Sequence, residues 1–332
     1  MTGMSALGLV VIGRNEAARL PNCLASIPSG VPIVYVDSGS HDSSCQIAKK
    51  FGVPTVELSG DIPFSAARAR NAGFDAISDA NPNVQFVFFI DGDCVLDGQF
   101  LPHALPILES RRDCAIVVGA VVEEAAGGNV FGLLADLEWS NPIAGEIVDF
   151  DLLGGIMLIR AEDFAAVGGF DPAFIAGEDS ELGIRLHLRG RRTLRIEKTM
   201  ARHAMDMKNF GQWWLRSVRA GQALAHRNAV HGRSGLADSR SAVKSTLAYG
   251  VGIPLLTVAG LLGWGLAGLV PLAGYGFLAW RFFRYYRDKG ASRKAAITGA
   301  KFGVLGKFAN AAGLIRFHLQ RAKGRFLIVE YK

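Results

Sequence analysis

The stretch Val84–Asp93, VQFVFFIDGD, joins a run of apolar residues to an abrupt acidic end. Only Gln85 interrupts the apolar run Val84–Ile90, which is typical of a strand buried on both faces of a parallel sheet. Asp91 and Asp93 follow where such a strand ends. In α/β sheets, ligands bind at the carboxyl ends of the strands. The stretch therefore predicts a buried parallel strand that brings two carboxylates to a binding edge.

Apolar runs of the same kind recur on both sides of this stretch, separated by segments with helical spacing. The predicted strands are Leu7–Ile12, Ile33–Val36, Val53–Leu58, Val84–Ile90, Ala115–Val122, Leu152–Arg160 and Thr193–Glu197. The predicted helices are Glu16–Ile27, Ser40–Phe51, Phe64–Ile77, Phe100–Arg111, Glu162–Val167, Glu178–Arg189 and Phe210–Asn228, while 127–148 mixes helix and loops. This alternation predicts an α/β fold with a doubly wound, mostly parallel sheet.

Residues 245–280 contain no charged side chain. A membrane-spanning helix needs about 20 apolar residues, so this segment is too long for one ordinary helix and barely long enough for two. Prolines and glycines interrupt it, and Gly268–Pro271 has the composition of a hairpin turn. A continuous run of this length predicts a helical membrane segment. The alternative is a helical pair buried in a soluble core.

Basic residues are concentrated directly after this segment. The formal net charge of the chain is +6, whereas residues 281–332 carry 13 Lys and Arg against Asp288 and Glu330. Such a block favours anionic lipid head groups, and Ala295–Arg321 has the pattern of an amphipathic helix that lies in the interface or packs on the soluble domain. A pI near 9.2 also suggests nucleic acid, but no nucleic-acid-binding motif is recognisable. We therefore expect membrane lipids as a partner and no nucleic acid.

The N-terminus and the cysteines indicate the compartment. Met1–Leu9 lacks the basic region and long apolar core of a signal peptide. The four cysteines form no C-x-x-C pair and have no metal-ligand spacing. We therefore expect a protein of the inner or plasma membrane whose α/β domain lies in the cytoplasm with reduced thiols.

Asp91 and Asp93 are candidate metal ligands. Their oxygens suit Mg²⁺ or Mn²⁺, which keep coordination positions open for phosphate oxygens. A metal ion there would neutralise charge that develops on a departing diphosphate. A plain polar turn is the alternative, and the position of the two acids after a buried strand favours the metal.

Seven stretches of the chain, in their order, carry a resemblance to a known family. They are VVIGRNE (Val10–Glu16), VDSGSHDSS (Val36–Ser44), ARARNAG (Ala67–Gly73), FFIDGD (Phe88–Asp93), GGIMLIR (Gly154–Arg160), VGGFD (Val167–Asp171) and GEDSELGIRLHLRG (Gly177–Gly190). The pattern covers about residues 7–205 and resembles the family 2 glycosyltransferases, which have the GT-A fold. It implies an inverting enzyme that takes a sugar from a nucleotide-sugar with the help of Mn²⁺ or Mg²⁺.

The resemblance implies roles for the donor-binding residues. Asn15 and Glu16 form a wall of the nucleoside pocket. Asp37 accepts a hydrogen bond from a uracil ring, or caps a helix or turn instead. Arg70 reaches the base or the diphosphate. Asp91 touches the ribose or the metal.

Further roles concern the metal and the sugar. The resemblance implies that Asp93 binds the metal directly. His203, which lies beyond the predicted strand Thr193–Glu197, is a candidate third metal ligand or diphosphate contact, with a structural role as the alternative. Gly154 and Gly155 let the backbone approach the donor sugar and the acceptor, or form a tight entry to a strand.

Glu178 and Asp179 resemble the catalytic pair of the family. A sugar hydroxyl is a poor nucleophile, so inversion by single displacement needs a carboxylate that takes its proton. The resemblance makes Asp179 this base and leaves Glu178 to orient it or to bind the acceptor. Acids at a helix N-terminus also complement the helix dipole, and both roles are compatible.

Two motifs of related enzymes are absent. Processive synthases carry Gln-x-x-Arg-Trp after the base, whereas residues 212–216 read QWWLR. Polyprenyl-phosphate sugar synthases carry Asp-x-Asp-Leu-Gln, whereas Asp91–Leu96 reads DGDCVL. Transfer of a single sugar is therefore expected.

Together these observations predict transfer of one sugar, from a UDP-sugar, to a lipid-linked or cell-envelope polysaccharide acceptor at the cytoplasmic membrane face. The alternatives are a nucleotidyltransferase-like enzyme and an inactive nucleotide-sugar-binding membrane protein. The predicted regions are a catalytic domain at 1–231 (nucleotide-binding half 1–124, acceptor half 125–231), a linker at 232–244, a membrane hairpin at 245–280 and a basic amphipathic region at 281–332.

Overall fold

The computed structural model describes residues 3–124, 128–139, 144–148, 150, 153–203, 207–234 and 238–323. Parts of the predictions for 127–148, Leu152–Arg160, the linker and the C-terminal region lie outside the described residues. The chain forms two compact units. The first comprises Met1–Glu124 and Trp139–Ala204, and the second comprises Ala125–Glu138 and Met205–Lys332.

The first unit contains a nine-stranded sheet, and its helices lie between strands in the sequence. The strands are β1 Leu7–Gly13, β2 Ile33–Asp37, β3 Thr55–Glu57, β4 Phe86–Asp91, β5 Cys94–Leu96, β6 Cys114–Glu123, β7 Gly145–Glu146, β8 Met157–Arg160 and β9 Arg192–His203. The helices, after a 3₁₀ turn at Gly3–Ala6, are α1 Leu20–Ala25, α2 Ser44–Lys50, α3 Ala66–Ala80, α4 Phe100–Ser110, α6 Ala161–Ala166 and α7 Glu178–Leu188. The α/β fold is as predicted.

The strand order is β3-β2-β1-β4-β8-β6-β9-β5, and β7 pairs with β9. The first four strands in this order are parallel, as the buried apolar runs predict. The second half is mixed, because β8 runs antiparallel to both β4 and β6, while β6 and β9 are parallel. The parallel half places the carboxyl ends of β1, β2 and β4 at one edge.

The core of this unit lies on both faces of β1 and β4. All residues of β1 except Gly13 and all residues of β4 except Asp91 are buried. On one face, Gly73 of α3 lies so close to Val10 that a Cβ would clash with it. Phe89 contacts Phe164 and Phe170. Burial on both faces is what a parallel sheet covered by helices requires.

Strand β9 is longer than predicted. The expected strand Thr193–Glu197 continues to His203, so His203 lies within the sheet rather than beyond it. Register shifts between β6 and β9 accompany the close approach of Gly119 to Lys198, where a Cβ would clash with the Lys198 carbonyl. The bulged strands end with Glu123 opposite His203, and β5 places Cys94 on the other side of His203.

The second unit is helical. Its elements are α5 Val130–Trp139, α8 Phe210–His231, α9 Asp238–Leu247, a π-helical turn Ala248–Gly252, α10 Ile253–Trp264, a 3₁₀ helix Gly265–Leu272, α11 Ala273–Asp288 and α12 Arg293–Ala322. The predicted linker at 232–244 overlaps α9, which starts at Asp238. The helix expected at Ala295–Arg321 is present as α12.

Packing explains why residues 128–138, from the predicted acceptor half 125–231, group with the C-terminal region. Phe131 of α5 lies in one buried cluster with Met207 and Trp213. Trp213 and Phe131 both contact Phe302 of α12. Helices α8 and α12 also touch closely, because a Cβ on Gly313 would clash with the backbone of α8.

One described helical segment, Ser239–Asp288, is long and apolar enough to cross a membrane. Only 17% of the 18-residue apolar window in this segment is buried, whereas the core helix of a soluble protein is mostly buried. The segment is not one straight helix, because α10 ends at Gly265, where φ is +58°.

Candidate active site

The loops after β1 and β2 are joined by hydrogen bonds. Asn15 adopts a positive φ of 58°, a conformation that asparagine tolerates better than most side chains. Its N–H donates to Ser40 Oγ, and its side-chain oxygen accepts from the His41 N–H. The Glu16 N–H donates to Ser44 Oγ. The predicted nucleoside-pocket residues therefore lie in a fixed double loop at the binding edge.

Asp37 ends β2 beneath this double loop. Its carboxylate is buried and accepts hydrogen bonds from the Tyr35 hydroxyl (3.0 Å), the Ser40 hydroxyl (2.6 Å) and the Ser40 N–H (2.7 Å). Burial and the negative charge of Asp37 raise the pKa of Tyr35. Asp37 thus organises the loop, as the alternative prediction of a helix-capping or turn-capping residue requires. Its contact with a uracil ring stays a prediction.

Arg70 connects the two acidic parts of the site. Its guanidinium is buried and lies 2.8 Å from Asp91 Oδ1 and 2.8 Å from Glu178 Oε1. It also lies over the ring of Phe170. Burial opposes the charged form, but Asp91, Glu178 and Asp179 outweigh it and raise the pKa of Arg70. Arg70 is therefore a permanent cation that holds residues from β4 and α7 together.

The glycine pair before β8 shapes the space around this guanidinium. A Cβ on Gly155 would clash with the guanidinium of Arg70, whereas a Cβ on Gly154 would meet nothing within 4 Å. The structure thus explains the glycine at 155 by the space that the Arg70 guanidinium occupies. This explanation differs from the predicted approach of the backbone to the sugar and the acceptor. That approach stays a prediction for both glycines.

Glu178 and Asp179 are the first two residues of α7. The preceding Gly177 has a left-handed conformation with φ 72°, which glycine adopts without strain. Glu178 is buried against Arg70, whereas Asp179 is partly exposed and its Oδ1 accepts from the Ser180 N–H at 2.6 Å. The helix dipole favours both negative charges. Of the two carboxylates, Asp179 is therefore the more accessible to a ligand.

Asp93 and His203 form a second cluster next to this network. His203 Nε2 lies 3.6 Å from Asp93 Oδ2, and His203 Nδ1 lies 2.8 Å from Glu123 Oε2. Burial lowers the pKa of His203, but the hydrogen bonds to Asp93 and Glu123 more than compensate and raise it to about 9. In the metal-free protein the imidazole is therefore a cation between two carboxylates. A metal ion would take the place of the proton on Nε2.

The residues of this cluster fit a divalent ion. Asp93, Cys94 and His203 each offer a ligand atom, and these atoms lie within 4.8 Å of one another. Burial, and then the charges of Asp93 and Asp91, raise the pKa of Cys94 well above its ordinary value, which disfavours the thiolate form that binds metal ions. The remaining oxygen and imidazole donors suit Mn²⁺ or Mg²⁺. Asp91, predicted to touch the ribose or the metal, points Oδ1 at Arg70, and its role as a ligand stays a prediction.

Sequence reasoning missed three residues of the site. Glu123 holds the far nitrogen of His203, Cys94 packs between the strands, and Arg19 Nη1 lies 3.9 Å from Asp93 Oδ2. The only signal for Glu123 was an acid directly after the predicted strand Ala115–Val122. Arg19 and Cys94 gave no signal.

Comparison with known protein families and solved structures shows which class of enzymes this chain resembles. The sequence profile described as Glycosyltransferase like family 2 matches residues 6–219, more than half of the chain. A mannosyltransferase from Pyrobaculum calidifontis, solved in complex with GDP-Man and Mn²⁺, superposes with a TM-score of 0.59 at 16% identity. That comparison covers 91% of this chain and 86% of the mannosyltransferase.

A second solved structure gives the same fold. Residues 1–349 of S. aureus TarS superpose with a TM-score of 0.51 at 15% identity, covering 98% of this chain and 95% of the other. The mixed α/β sheet is thus a sheet of the GT-A type. By the extent of the profile match, the chain belongs to family 2 of the glycosyltransferases, and the protein is a glycosyltransferase.

Proposed function

We propose that this protein transfers one sugar, with inversion, from a nucleotide-sugar to a lipid-linked or envelope polysaccharide acceptor at the cytoplasmic face of a membrane. The observation that carries the reaction is the pair of adjacent clusters: Asp93 with His203, and Asp91 with Arg70 and Glu178. They put candidate metal ligands at the carboxyl edge of one sheet, where donors bind in such folds, and Glu178 is followed directly by the candidate base Asp179.

The metal would be held by Asp93 and His203, with Asp91 as a further ligand if it leaves Arg70. A bound Mn²⁺ or Mg²⁺ supplies charge neutralisation on the departing diphosphate. Glu123 fixes the ring of His203 through Nδ1, the arrangement that commonly orients a metal-binding histidine. Arg70 supports the same edge with a fixed positive charge.

Asp179 acts as the base. The acceptor oxygen forms a bond to the anomeric carbon while the bond from that carbon to the diphosphate oxygen breaks. The hydroxyl proton passes to the Asp179 carboxylate, and the nucleoside diphosphate leaves with the bonding electron pair. Glu178 is engaged by Arg70 at 2.8 Å and positions the start of α7, so that Asp179 keeps its place.

The donor is proposed to be a UDP-sugar. Asn15, Glu16 and Asp37 form the double loop that would receive the nucleoside. The P. calidifontis mannosyltransferase was solved with GDP-Man, so a guanosine donor is the competing choice. A thermal-shift screen of UDP- and GDP-sugars with Mn²⁺ decides between them, because a ligand that binds only the folded state raises the melting temperature.

The reaction type is tested by release of nucleoside diphosphate from the donor that the screen selects. We expect release that needs Mn²⁺ or Mg²⁺ and stops with EDTA. Release that continues unchanged after chelation would remove the metal from the proposal. Donor binding without release across lipid-linked and saccharide acceptors would revive the alternative of an inactive binding protein.

A further inference from the structure

The apolar segment of the second unit folds back on itself. Helix α10 ends at Gly265, and the following 3₁₀ helix returns alongside it. A Cβ on Gly260 would lie 2.7 Å from Gly268 Cα, and a Cβ on Gly268 would clash with the backbone of Leu261. The two arms therefore touch backbone to backbone, as small residues permit in membrane helices. We call residues 253–272 the apolar hairpin.

The base of the apolar hairpin is closed by a hydrogen bond. The Tyr275 hydroxyl donates to the Tyr249 carbonyl at 2.7 Å, and Gly274 packs against Ile253. The chain thus enters and leaves the hairpin at the same end. Gly250, just before the hairpin, packs against the Lys307 carbonyl of α12, so the part of this arm that projects is the twelve-residue helix α10. With a rise of about 1.5 Å per residue, α10 reaches about 18 Å, which is too short to cross the roughly 30 Å hydrocarbon core of a bilayer.

Both arms of the apolar hairpin expose large apolar side chains. The most exposed are Leu262 at 86%, Leu266 at 83% and Trp264 at 79%. The others are Leu255, Leu256, Val258, Leu261, Leu269, Val270 and Leu272. A contiguous apolar surface of this kind marks an interaction site. The exposed apolar surface covers the tip and the sides of the hairpin rather than one face, which suits a segment that is surrounded by lipid.

Aromatic and basic side chains follow the base of the hairpin. Trp280 and Tyr285 are exposed on α11, and they pair with Arg284 and Lys289 respectively. Arg281 and Arg287 are also exposed. Aromatic rings and cations of this kind gather at the level of lipid head groups, and the cations match anionic lipids in charge.

We infer that the apolar hairpin dips into a single leaflet of an anionic bilayer and returns, so that Ser239–Leu247 and α12 lie on the same side. The reach of α10, the closed base and the bordering cations together favour insertion over a crossing. This inference does not depend on the sugar-transfer reaction, since it is tested without a donor.

The first test is flotation of the full-length protein with phosphatidylcholine vesicles that contain 30% phosphatidylglycerol. The double variant Leu262→Glu/Leu266→Glu should lower the bound fraction at least tenfold. Phe51→Glu, which charges an exposed apolar side chain of the first unit, should leave it unchanged. Arg281→Gln/Arg284→Gln should weaken binding only to the anionic vesicles. Equal flotation of the hairpin variant and wild type would overturn the inference, provided that both variants keep the wild-type circular dichroism spectrum.

The second test separates a hairpin, whose two ends lie on one side of the membrane, from a single crossing. Ser241→Cys and Lys294→Cys place thiols on exposed positions before and after the hairpin, and a membrane-impermeant maleimide labels them in sealed vesicles. We expect both to be labelled from the same side. Labelling from opposite sides would establish a crossing. Self-association in buffer without any vesicle binding would instead identify a second copy of the chain as the occupant of the surface, and either result contradicts the inference.

Discussion

The two compact units differ in what they bury: the first buries charged side chains, whereas the second exposes large apolar side chains. The first unit buries Arg70, Glu178 and Glu123 next to opposite charges. The second unit leaves Leu262 and Trp264 almost fully exposed. Burying a charge is costly even when it is paired, so the buried network is better explained by a site than by stability. Exposing leucines is costly in water, so the exposed side chains of the hairpin are better explained by contact with lipid.

This contrast assigns turnover and metal binding to the first unit and membrane binding to the second. If it holds, charge removal in the first unit changes turnover and metal binding without changing vesicle binding. Changes in the apolar hairpin do the reverse. Each of the following variants tests one side of this contrast.

Asp179→Asn should have the largest effect. An amide cannot take the proton of the acceptor hydroxyl, so turnover should fall by about 10²–10⁴-fold, the usual contribution of a general base. Donor binding, measured by thermal shift, should be unchanged. Asp79→Asn, an exposed acid on α3, is the matched control and should behave as wild type. Turnover of the Asp179 variant close to wild type would assign the base elsewhere.

Asp93→Asn should lower Mn²⁺ affinity and turnover together. The substitution removes the charged oxygen nearest His203 Nε2, and an amide oxygen is a weaker ligand for a divalent cation. Mn²⁺ titration followed by electron paramagnetic resonance measures the affinity. Tight Mn²⁺ binding by the variant would exclude Asp93 as a ligand.

Glu123→Gln should lower Mn²⁺ affinity by about 10–100-fold, the usual effect of losing a residue that orients a metal-binding histidine. Gln keeps the size of the side chain but loses the charge that faces His203 Nδ1. The same titration applies, and Glu123→Asp should recover part of the affinity. An unchanged affinity would make Glu123 a purely structural residue.

Gly155→Ala should cost about 1–3 kcal/mol of unfolding free energy, as other overpacked sites do, because the new methyl group meets the guanidinium of Arg70. Turnover should also fall, since Arg70 holds Asp91 and Glu178. Gly154→Ala, which has open space around it, is the matched control. Equal denaturant midpoints for the two variants would contradict the role given to Gly155.

Leu262→Glu/Leu266→Glu should have the smallest effect on catalysis. Release of nucleoside diphosphate with a water-soluble acceptor should remain at the wild-type rate, because the hairpin contributes no residue to the clusters described at the sheet edge. Rates are compared at saturating donor in detergent-free buffer. A large loss of this rate, with the fold intact, would show that the two units are not separable in function.

Sequence alone predicted the parallel half of the fold well. Apolar runs identify β1, β2 and β4, because strands buried on both faces cannot alternate with polar residues. Asp91 and Asp93 were found for the same reason, since they end such a strand. The family pattern supplied Arg70 and Asp179, which no periodicity singles out.

Long-range pairing explains what sequence reasoning missed. Glu123 meets His203 only because β6 and β9 shift register along their length, and such shifts leave no mark in residue alternation. The contact of Arg70 with Glu178 spans 108 residues. The return of the apolar hairpin depends on the positive φ of Gly265, which any of the neighbouring glycines could have supplied.

The most direct test of the central claim is the anomeric configuration of the product. Proton NMR of the reaction, with the donor selected by thermal shift and Mn²⁺ present, follows the new glycosidic bond as it forms. Single displacement with Asp179 as base predicts a product of inverted configuration from the wild type and almost none from Asp179→Asn. Retained configuration, or equal product from the variant, would contradict the mechanism.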